Sequence, residues 1–189
     1  LYSEQNTNEV LIRETAITLP FKFTTDNYQL LAKIICFDTR RNQQIVTDLL
    51  EQIGQNKKVL LLSERRDHLE VMRLYLKGLC ETIVISGEDS LTKRASKLKQ
   101  IQSGHYQIIL STGQFFGEGM DIPSIDSLVL AFPFSFEGKL VQYIGRLRRQ
   151  THKRTIIDYR DKDIAFLERQ FKQRMRVYKK PVYTIDMTK

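Results

Sequence analysis

The sequence predicts an α/β domain built on a central, mostly parallel sheet with helices on both faces. Short apolar runs recur at regular intervals after residue 58, and amphipathic stretches separate most of them. The runs are Val59–Leu62, Ile83–Ile85, Ile108–Leu110, Leu128–Phe132 and Ile156–Ile157. Because these strands are apolar along their whole length rather than at alternate positions, we expect both faces of the sheet to be covered.

The stretches between and beside these runs have helical periodicity. From Gln29 to Ile53 apolar residues recur at three- and four-residue spacing, and Gly54 marks a stop. The same spacing follows the first two runs, in the segments that contain Leu69 and Leu91. A last helix is expected over Ile164–Val177. Helices in these positions can cover the two faces of the sheet.

The amino-terminal part predicts an accessory segment. Apolar residues alternate with other residues over 16–23, which is typical of a half-buried strand, and Pro20 confines that strand to a sheet edge or a connector. We therefore divide the chain into a connector or edge strand (1–28) from a missing upstream domain, a main domain (29–160) and a basic helix with a tail (161–189). The first residue is Leu rather than Met, which suggests a piece of a longer protein.

The charge of the chain is concentrated in one region. The 189 residues carry a net charge of +8, and residues 139–180 hold 14 Lys and Arg against 4 Asp and Glu. A local positive field of this kind fits an anionic polymer or a polyphosphate partner. Four cations of the last expected helix either extend a nucleic-acid track or are simply solvated, and both interpretations stay open: Arg169, Lys172, Arg174 and Arg176.

Cysteine content and hydropathy indicate a cytoplasmic protein. Cys36 and Cys80 are far apart and have no histidine neighbours, so they predict small core residues in a reducing compartment rather than a disulfide or a zinc site. No apolar run approaches the roughly 18 residues of a membrane span, and the first residues do not resemble a signal peptide.

No metal site is expected. The three histidines lie in separate predicted elements, so we interpret them as surface or helix residues: His68, His105 and His152. Asp158 and Asp161 could suggest a metal-dependent nuclease, but nothing in the sequence supplies the other ligands. Solvated acids that follow a strand are the better interpretation of this pair.

The most informative stretch is the predicted helix near residues 140–149. Four residues with polar or small side chains fall within one arc of it: Gln142, Gly145, Arg146 and Arg149. The opposite arc is apolar and can pack: Leu140, Tyr143, Ile144 and Leu147. Two planar guanidinium groups one turn apart make a plausible clamp for a phosphoryl group. A solvated basic face is the alternative.

Polar loops follow the strands, where a parallel sheet places its working residues. The loop from Ser111 to Asp121 is rich in glycine, which allows main-chain N–H groups to approach an anion closely. Within it, the hydroxyl of Thr112 can bond a phosphate, and the carboxylate of Asp121 suits ribose hydroxyls. The sequence contains no G-x-x-x-x-G-K-[ST] motif, the P-loop that holds nucleotide phosphates. The arginine clamp is therefore expected to be only half of a nucleotide-phosphate site.

These motifs resemble the second RecA-like domain of superfamily 2 helicases and translocases. The sixth motif of that family is matched by Gln142, Gly145, Arg146 and Arg149, and the fifth by Ser111–Gly113 and Gly119–Pro123. Val59–Ser63 is similar to the fourth. The match covers roughly residues 40 to 160, and it implies a RecA-like three-layer sandwich.

The resemblance also implies site residues. Arg146 and Arg149 would reach the γ-phosphate of ATP, with Arg149 as the arginine finger. The other nucleotide contacts would come from Gly119, Asp121, Gln142 and Gly145. Ser63 and Thr112 would hold phosphates of a nucleic-acid strand, and further candidates are Arg65, Gly87, Lys93 and Gly113. ATP with Mg²⁺ would be bound mainly by a missing amino-terminal RecA-like domain of the same protein.

Departures from the DEAD-box pattern indicate which branch of superfamily 2 the sequence resembles. Tyr143 stands where that pattern has arginine, and Gly117-Glu118-Gly119 stands where it has Ala-Arg-Gly. The residues of these motifs are more similar to those of DNA repair helicases and restriction-enzyme translocase subunits. This resemblance implies that the bound nucleic acid is DNA rather than RNA. Our first hypothesis is the motor half of such an enzyme, inactive alone. The second is a non-catalytic module that binds nucleic acid or protein through residues 139–180.

Overall fold

The computed structural model describes residues 8–113, 125–135, 137–145, 147 and 154–187. Its strands are β1 (Asn8–Glu14), β2 (Val59–Leu62), β3 (Thr82–Ile85), β4 (Ile108–Ser111), β5 (Ser127–Leu130), β6 (Thr155–Arg160) and β7 (Tyr183–Asp186). Its helices are a 3₁₀ turn (Thr25–Asn27), α1 (Tyr28–Phe37), α2 (Thr39–Gly54), α3 (Arg66–Leu76), α4 (Leu91–Gln102), α5 (Glu137–Ile144) and α6 (Ala165–Tyr178). None of the helices in these ranges is long and apolar enough to cross a membrane.

The seven strands form one sheet in the order β3-β4-β2-β5-β6-β1-β7, and every neighbouring pair is parallel. Alternate residues of each strand point to opposite faces of the sheet. Leu60 and Leu62 pack with α4, α5 and α6, whereas Val59 and Leu61 pack with α2 and α3. This confirms the three-layer α/β arrangement, because the apolar runs supply core to both layers of helices.

The predicted strand over residues 16–23 is wrong, and the strand of this region is β1. Residues 16–23 form no strand, and Ile17 instead packs in a third cluster beside α1. Val10 and Ile12 of β1 are fully buried, because β1 lies between β6 and β7 inside the sheet. The apolar part of β1 is the short run Val10–Ile12, and the polar residues on either side of it hid this strand from the sequence.

The sheet crosses the domain boundaries that the sequence suggests at residues 28 and 160. β1 precedes the first boundary, β7 follows the second, and both belong to the same sheet as β2 to β6. The basic helix predicted after residue 160 is α6, which packs on this sheet, and the division of the chain into three parts stays a prediction. That residues 1–28 lead in from an upstream domain stays a prediction.

The long helix expected over Gln29–Ile53 is two helices that meet at Asp38. Asp38 has an extended backbone, and its carboxylate accepts a hydrogen bond of 2.7 Å from the main-chain N–H of Arg41. Aspartate is a favoured residue at this capping position because it satisfies an N–H that the first helical turn leaves unpaired. The apolar spacing continues through the break, so periodicity alone could not reveal it.

The helices predicted around Leu69 and Leu91 and over Ile164–Val177 are confirmed, with one difference in α4. Its apolar stripe is formed by Leu98, which is partly buried, and Ile101, which is buried, whereas Leu91 is 82% exposed. Helix α4 packs against β3, the edge strand of the sheet, so its first turn has little sheet to cover. Cys36 is buried as expected, and burial raises the pKa of its thiol to about 11.

Asp158 and Asp161 are buried, which corrects the prediction that they are solvated. Asp158, in β6, is 1% exposed and accepts two hydrogen bonds, of 2.8 and 2.9 Å, from the guanidinium of Arg174. Asp161, which directly follows β6, is paired in the same way with Arg41 at 2.9 and 3.2 Å. Both arginines are buried as well. Arg174 is therefore neither solvated nor part of a nucleic-acid track.

The two buried arginines also hold the segment that joins β5 to α5. A third donor of Arg41 bonds the carbonyl oxygen of Ala131 at 2.6 Å. A third donor of Arg174 bonds the carbonyl oxygen of Phe134. Arg41 lies in α2 on one face of the sheet, and Arg174 lies in α6 on the other. This connection is thus fixed from both layers of helices.

Candidate functional site

The carboxyl ends of the parallel strands bring several predicted site residues to one edge of the sheet. In the register of the sheet, Leu62 of β2 pairs with Ser111 of β4 on one side and with Leu130 of β5 on the other. The main-chain N–H of Ser63 donates to the carbonyl oxygen of Ser111 at 3.1 Å. Ser63 and Thr112, which follow these strands, are therefore neighbours, as the sequence predicts.

The side chain of Ser63 is engaged in a buried chain of hydrogen bonds. Ser63 is 2% exposed, and its Oγ lies 3.1 Å from Nδ1 of His68, whose Nε2 lies 3.0 Å from Oδ1 of Asn42. The amide nitrogen of Asn42 donates to the carbonyl oxygen of Cys36 at 2.8 Å. Because Oδ1 can only accept, Nε2 of His68 carries the proton, and the Ser63 hydroxyl donates to Nδ1.

This arrangement argues against a phosphate contact by the Ser63 hydroxyl. Its proton is directed at His68, and its oxygen accepts from the main-chain N–H of Arg65 at 3.2 Å. Of the two interpretations of His68, surface residue or helix residue, the structure supports the second, because His68 lies in α3 with its side chain fully buried. The sequence signal for the contact between Ser63 and His68 was a histidine five residues after a serine at the end of a strand. Because His68 lies in a predicted helix, this contact could not be recognised from the sequence.

We expect His68 to make the stability of the protein depend on pH. Burial, with the nearby charge of Arg41, lowers the pKa of His68 from 6.5 to about 3. The unfolded state therefore binds more protons in this window, so the contribution of His68 is complete above pH 6.5 and is lost as the pH falls toward 3. Between pH 7 and pH 5 the loss is about 2 kcal/mol.

Urea unfolding at pH 7 and pH 5 measures this effect. In His68→Gln the free energy of unfolding should change less between the two pH values than in the wild type, by about 2 kcal/mol. His105 is exposed and serves as the control, since His105→Gln should keep the wild-type pH dependence. Equal pH dependence in His68→Gln and the wild type would contradict the assignment.

Arg65 presents its charge at this edge. Its guanidinium lies over the ring of Tyr28, 5.5 Å from the centroid, and donates to Oε1 of Gln29 at 3.0 Å. Stacking on an aromatic face orients the planar group while its other N–H donors stay available. Arg65, which the sequence ranks below Ser63, is therefore the better phosphate candidate of the segment after β2.

Gly87 and Lys93 lie where β3 meets α4. Both are exposed, and the carbonyl oxygen of Gly87 accepts from Arg94 at 3.0 Å. Ser90 caps α4, with its Oγ accepting from the main-chain N–H of Lys93 at 3.3 Å. Lys93 thus stands in the first turn of a capped helix, where the helix dipole also favours anions.

Gly113 is required by packing. A Cβ atom added there would lie 1.7 Å from Oη of Tyr143 and 2.8 Å from Oε1 of Glu64, too close for any side chain. Thr112 beside it is half-buried. The close approach at Gly113 is therefore to a tyrosine of α5, and its predicted contact with a nucleic-acid strand stays a prediction.

Glu64 joins the segments after β2 and β4 to helix α5. Its Oε1 accepts a hydrogen bond of 3.2 Å from the hydroxyl of Tyr143 and lies 2.8 Å from Nζ of Lys139. Burial and the carboxylate of Glu64 raise the pKa of Tyr143, so its hydroxyl stays protonated and donates. The sequence places Glu64 at a strand end but gives no sign of this role.

Helix α5 buries the apolar arc as predicted but ends at Ile144, so Gly145 lies in a turn after the helix rather than on its face. Three residues of the apolar arc are buried within it: Leu140, Tyr143 and Ile144. Gln142 and Gly145 are exposed. Four further predicted site residues lie outside the described part of the chain: Gly119, Asp121, Arg146 and Arg149. Their assigned roles stay predictions.

The fold and this edge define the class of the protein, a RecA-like α/β domain with its polar loops at the carboxyl ends of parallel strands. Residues 41–151 match the model of the helicase conserved C-terminal domain. The chain belongs to this family, and its fold is that of the C-terminal RecA-like domain of superfamily 2 helicases.

Named relatives and solved structures agree with this family. The transcript termination protein A18 of vaccinia virus (strain Tian Tan) is 29% identical over 154 residues, which is 76% of this chain and 31% of the viral protein. The chain thus spans less than a third of the length of this curated relative.

Two solved structures share the fold at low identity. T4 UvsW aligns with a TM-score of 0.71 and 16% identity over 96% of this chain and 41% of that chain. Dbp5 of S. cerevisiae bound to RNA and ADP BeF3 aligns with a TM-score of 0.62 and 13% identity, over 97% and 42%. Both alignments cover less than half of the solved chain, so the matched fold is one part of a larger protein there.

Proposed function

We propose that this chain is the C-terminal motor domain of an ATP-dependent nucleic-acid helicase or translocase that acts on DNA. In this role it supplies the arginine finger and part of the nucleic-acid track. Membership of the helicase family supports the motor function. The sequence around Gly119 supports the branch that acts on DNA. The domain works with an N-terminal RecA-like domain of the same protein, which provides the P-loop.

The geometry of α5 carries this proposal. Tyr143 and Lys139 attach the buried side of the helix to Glu64, at the strand-end loops. Gln142 lies on the exposed side of the helix, and Gly145 follows in an exposed turn. In this proposal the arginine finger is Arg149, which follows this helix in the sequence.

The residues at this edge fit a nucleotide shared between two domains. Gln142 and Gly145 are both exposed and can be approached from outside the domain. Bound ATP with Mg²⁺ supplies the reactive phosphates, and arginine stabilises the charge that develops on them. Since this chain contains no P-loop, we propose that it does not hydrolyse ATP alone. ATPase assays of the full-length protein with single-stranded DNA and RNA test the motor. A protein that does not hydrolyse ATP under these conditions would contradict the proposal.

Lys93 tests the nucleic-acid part of the proposal. We expect Lys93→Ala to weaken binding of single-stranded DNA about equally for all sequences and to reduce the slope of log affinity against log salt by about 1. Lys99 is a matched control, because it is an exposed lysine near the opposite end of the same helix. Fluorescence anisotropy at several salt concentrations measures both variants. The same loss in Lys99→Ala would show that the effect is not local to this edge.

A second candidate is a binding module without catalysis, favoured by the exposed cations of α6. The side chains of Lys172 and Arg176 are 71% and 73% exposed. Charge reversal at these two positions should abolish binding if this surface holds the partner. Arg174 is unsuitable for that test because it is buried against Asp158. Under this alternative Arg149 would be dispensable.

A further inference from the structure

A cavity of about 370 Å³ opens at the same edge of the sheet, apart from the residues assigned so far to ATP. Glu64 and Arg65 line it from the segment after β2, and Pro133 and Phe134 line it from the segment after β5. Lys139 of α5 closes a further side. The volume lies within the range of small-molecule sites in proteins.

The charges around the cavity are net positive. Glu64 is neutralised, because Lys139 lies 2.8 Å from its carboxylate and Tyr143 donates to the same oxygen. Arg65 uses one of its five N–H donors for Gln29 within the described part of the chain. The remaining donors can bind an anion, and the planar fork of arginine matches phosphate oxygens.

The cavity also has aromatic and apolar walls. Tyr28 and Phe134 both line it, and Pro133 and Phe134 are buried. The guanidinium of Arg65 lies between two rings, 5.5 Å from the centroid of Tyr28 and 5.9 Å from that of Phe132. Aromatic faces beside cations are the arrangement on which proteins stack unpaired bases.

A polar group without a partner lies in the wall of the cavity. Gln170 of α6 lines it, and its Oε1 atom is buried without a hydrogen bond to any residue that the structure describes. An unpaired buried acceptor is costly. Since the last torsion of glutamine is soft, the carboxamide can turn toward a ligand that donates an N–H. The edges of nucleobases carry such donors.

We propose that this cavity seats one nucleotide unit, with its base against Tyr28 and Phe134 and its phosphate on Arg65. This inference rests on the proposed function, because it takes the bound strand as the source of the nucleotide. The same chemistry could come from a free nucleotide, and the experiment separates the two sources. Because Lys139 neutralises Glu64, the net positive charge of the lining is that of Arg65.

The test compares strands with and without bases. Single-stranded DNA and an abasic strand of the same length are titrated into the full-length protein and two variants, Tyr28→Ala and Ser135→Trp. Ser135 is exposed and lines the cavity, so a tryptophan there fills it without disturbing the core. Controls are Phe37→Ala, a 55% exposed aromatic of the same helix as Tyr28, and Ser96→Trp on α4.

Each cavity variant should weaken binding of the base-containing strand by about tenfold, the effect of losing one base stack. Binding of the abasic strand should weaken much less than binding of the base-containing strand, since only its one phosphate contact at Arg65 is disturbed, and the controls should match the wild type. Equal losses on both strands, or none, would overturn the base site. Unchanged strand binding with a raised KM for ATP would assign the cavity to the free nucleotide. Failure of the wild type to bind either strand would instead contradict the proposed function.

Discussion

Replacing Arg149 with alanine in the full-length protein is expected to lower ATP turnover by about 10³-fold or more. An arginine finger stabilises negative charge that is greater in the transition state than in bound ATP, so its loss lowers kcat more than it raises KM. Nucleic-acid binding should stay nearly intact, because the strand is held by other residues. Steady-state ATPase assays and anisotropy titrations measure the two effects.

Two comparisons sharpen this prediction. Arg149→Lys keeps the charge but loses the planar fork, so it should recover little of the lost turnover. Arg40 is an exposed arginine of α2, and Arg40→Ala should leave turnover at the wild-type value. If Arg149→Ala hydrolyses ATP at the wild-type rate, Arg149 is not the finger, and the binding-module hypothesis gains support.

Replacing Arg174 with methionine is expected to lower the free energy of unfolding by about 3–5 kcal/mol. The substitution leaves the carboxylate of Asp158 buried without its cation, although Tyr178 still donates to it at 2.8 Å. It also removes the donor that satisfies the carbonyl oxygen of Phe134. Urea unfolding followed by circular dichroism measures the change.

Lys172 provides the matched control for Arg174. It lies in the same helix with a side chain that is 71% exposed, so Lys172→Met should change stability by no more than about 0.5 kcal/mol. The double variant Asp158→Asn with Arg174→Met should recover part of the loss, because it no longer buries an unpaired charge. Similar stabilities of Arg174→Met and Lys172→Met would refute the buried ion pair.

The sequence predicts most of the sheet because burial on two faces leaves a strong local signal. Four-residue apolar runs such as Val59–Leu62 can hardly be anything but central strands once helices alternate with them. The same logic misses β1, where Asn8, Glu9 and Arg13 interrupt the apolar residues. The place of β1 is set by β6 and β7, which lie more than a hundred residues away in the chain.

The buried acids show a second limit of local inference. An aspartate at the end of a strand usually faces solvent, and nothing beside Asp161 indicates otherwise. Its partner Arg41 lies 120 residues earlier in the sequence. Arg174 is closer to Asp158, but it belongs to a helix so rich in cations that a solvated face is the simpler interpretation. Pairing over such distances is visible only after folding.

The candidate site could be predicted as a location but not in its contacts. The rule that working loops follow parallel strands brings Ser63, Arg65 and Thr112 together correctly. It does not say which way each side chain turns. Ser63 turns inward to His68, and Arg65 turns to the ring of Tyr28, a residue that the sequence gives no reason to select.

In the proposed motor, the connection from β5 to α5 would decide how movement of α5 reaches the rest of the domain. Its carbonyl oxygens at Ala131 and Phe134 are held by arginines rooted in opposite layers of helices. A flexible connection would absorb a displacement of α5. A connection held by hydrogen bonds from both layers of helices passes the displacement to the whole sheet. Under the proposed function we therefore expect α5 and the sheet to move as one rigid body, with little displacement lost to bending between them.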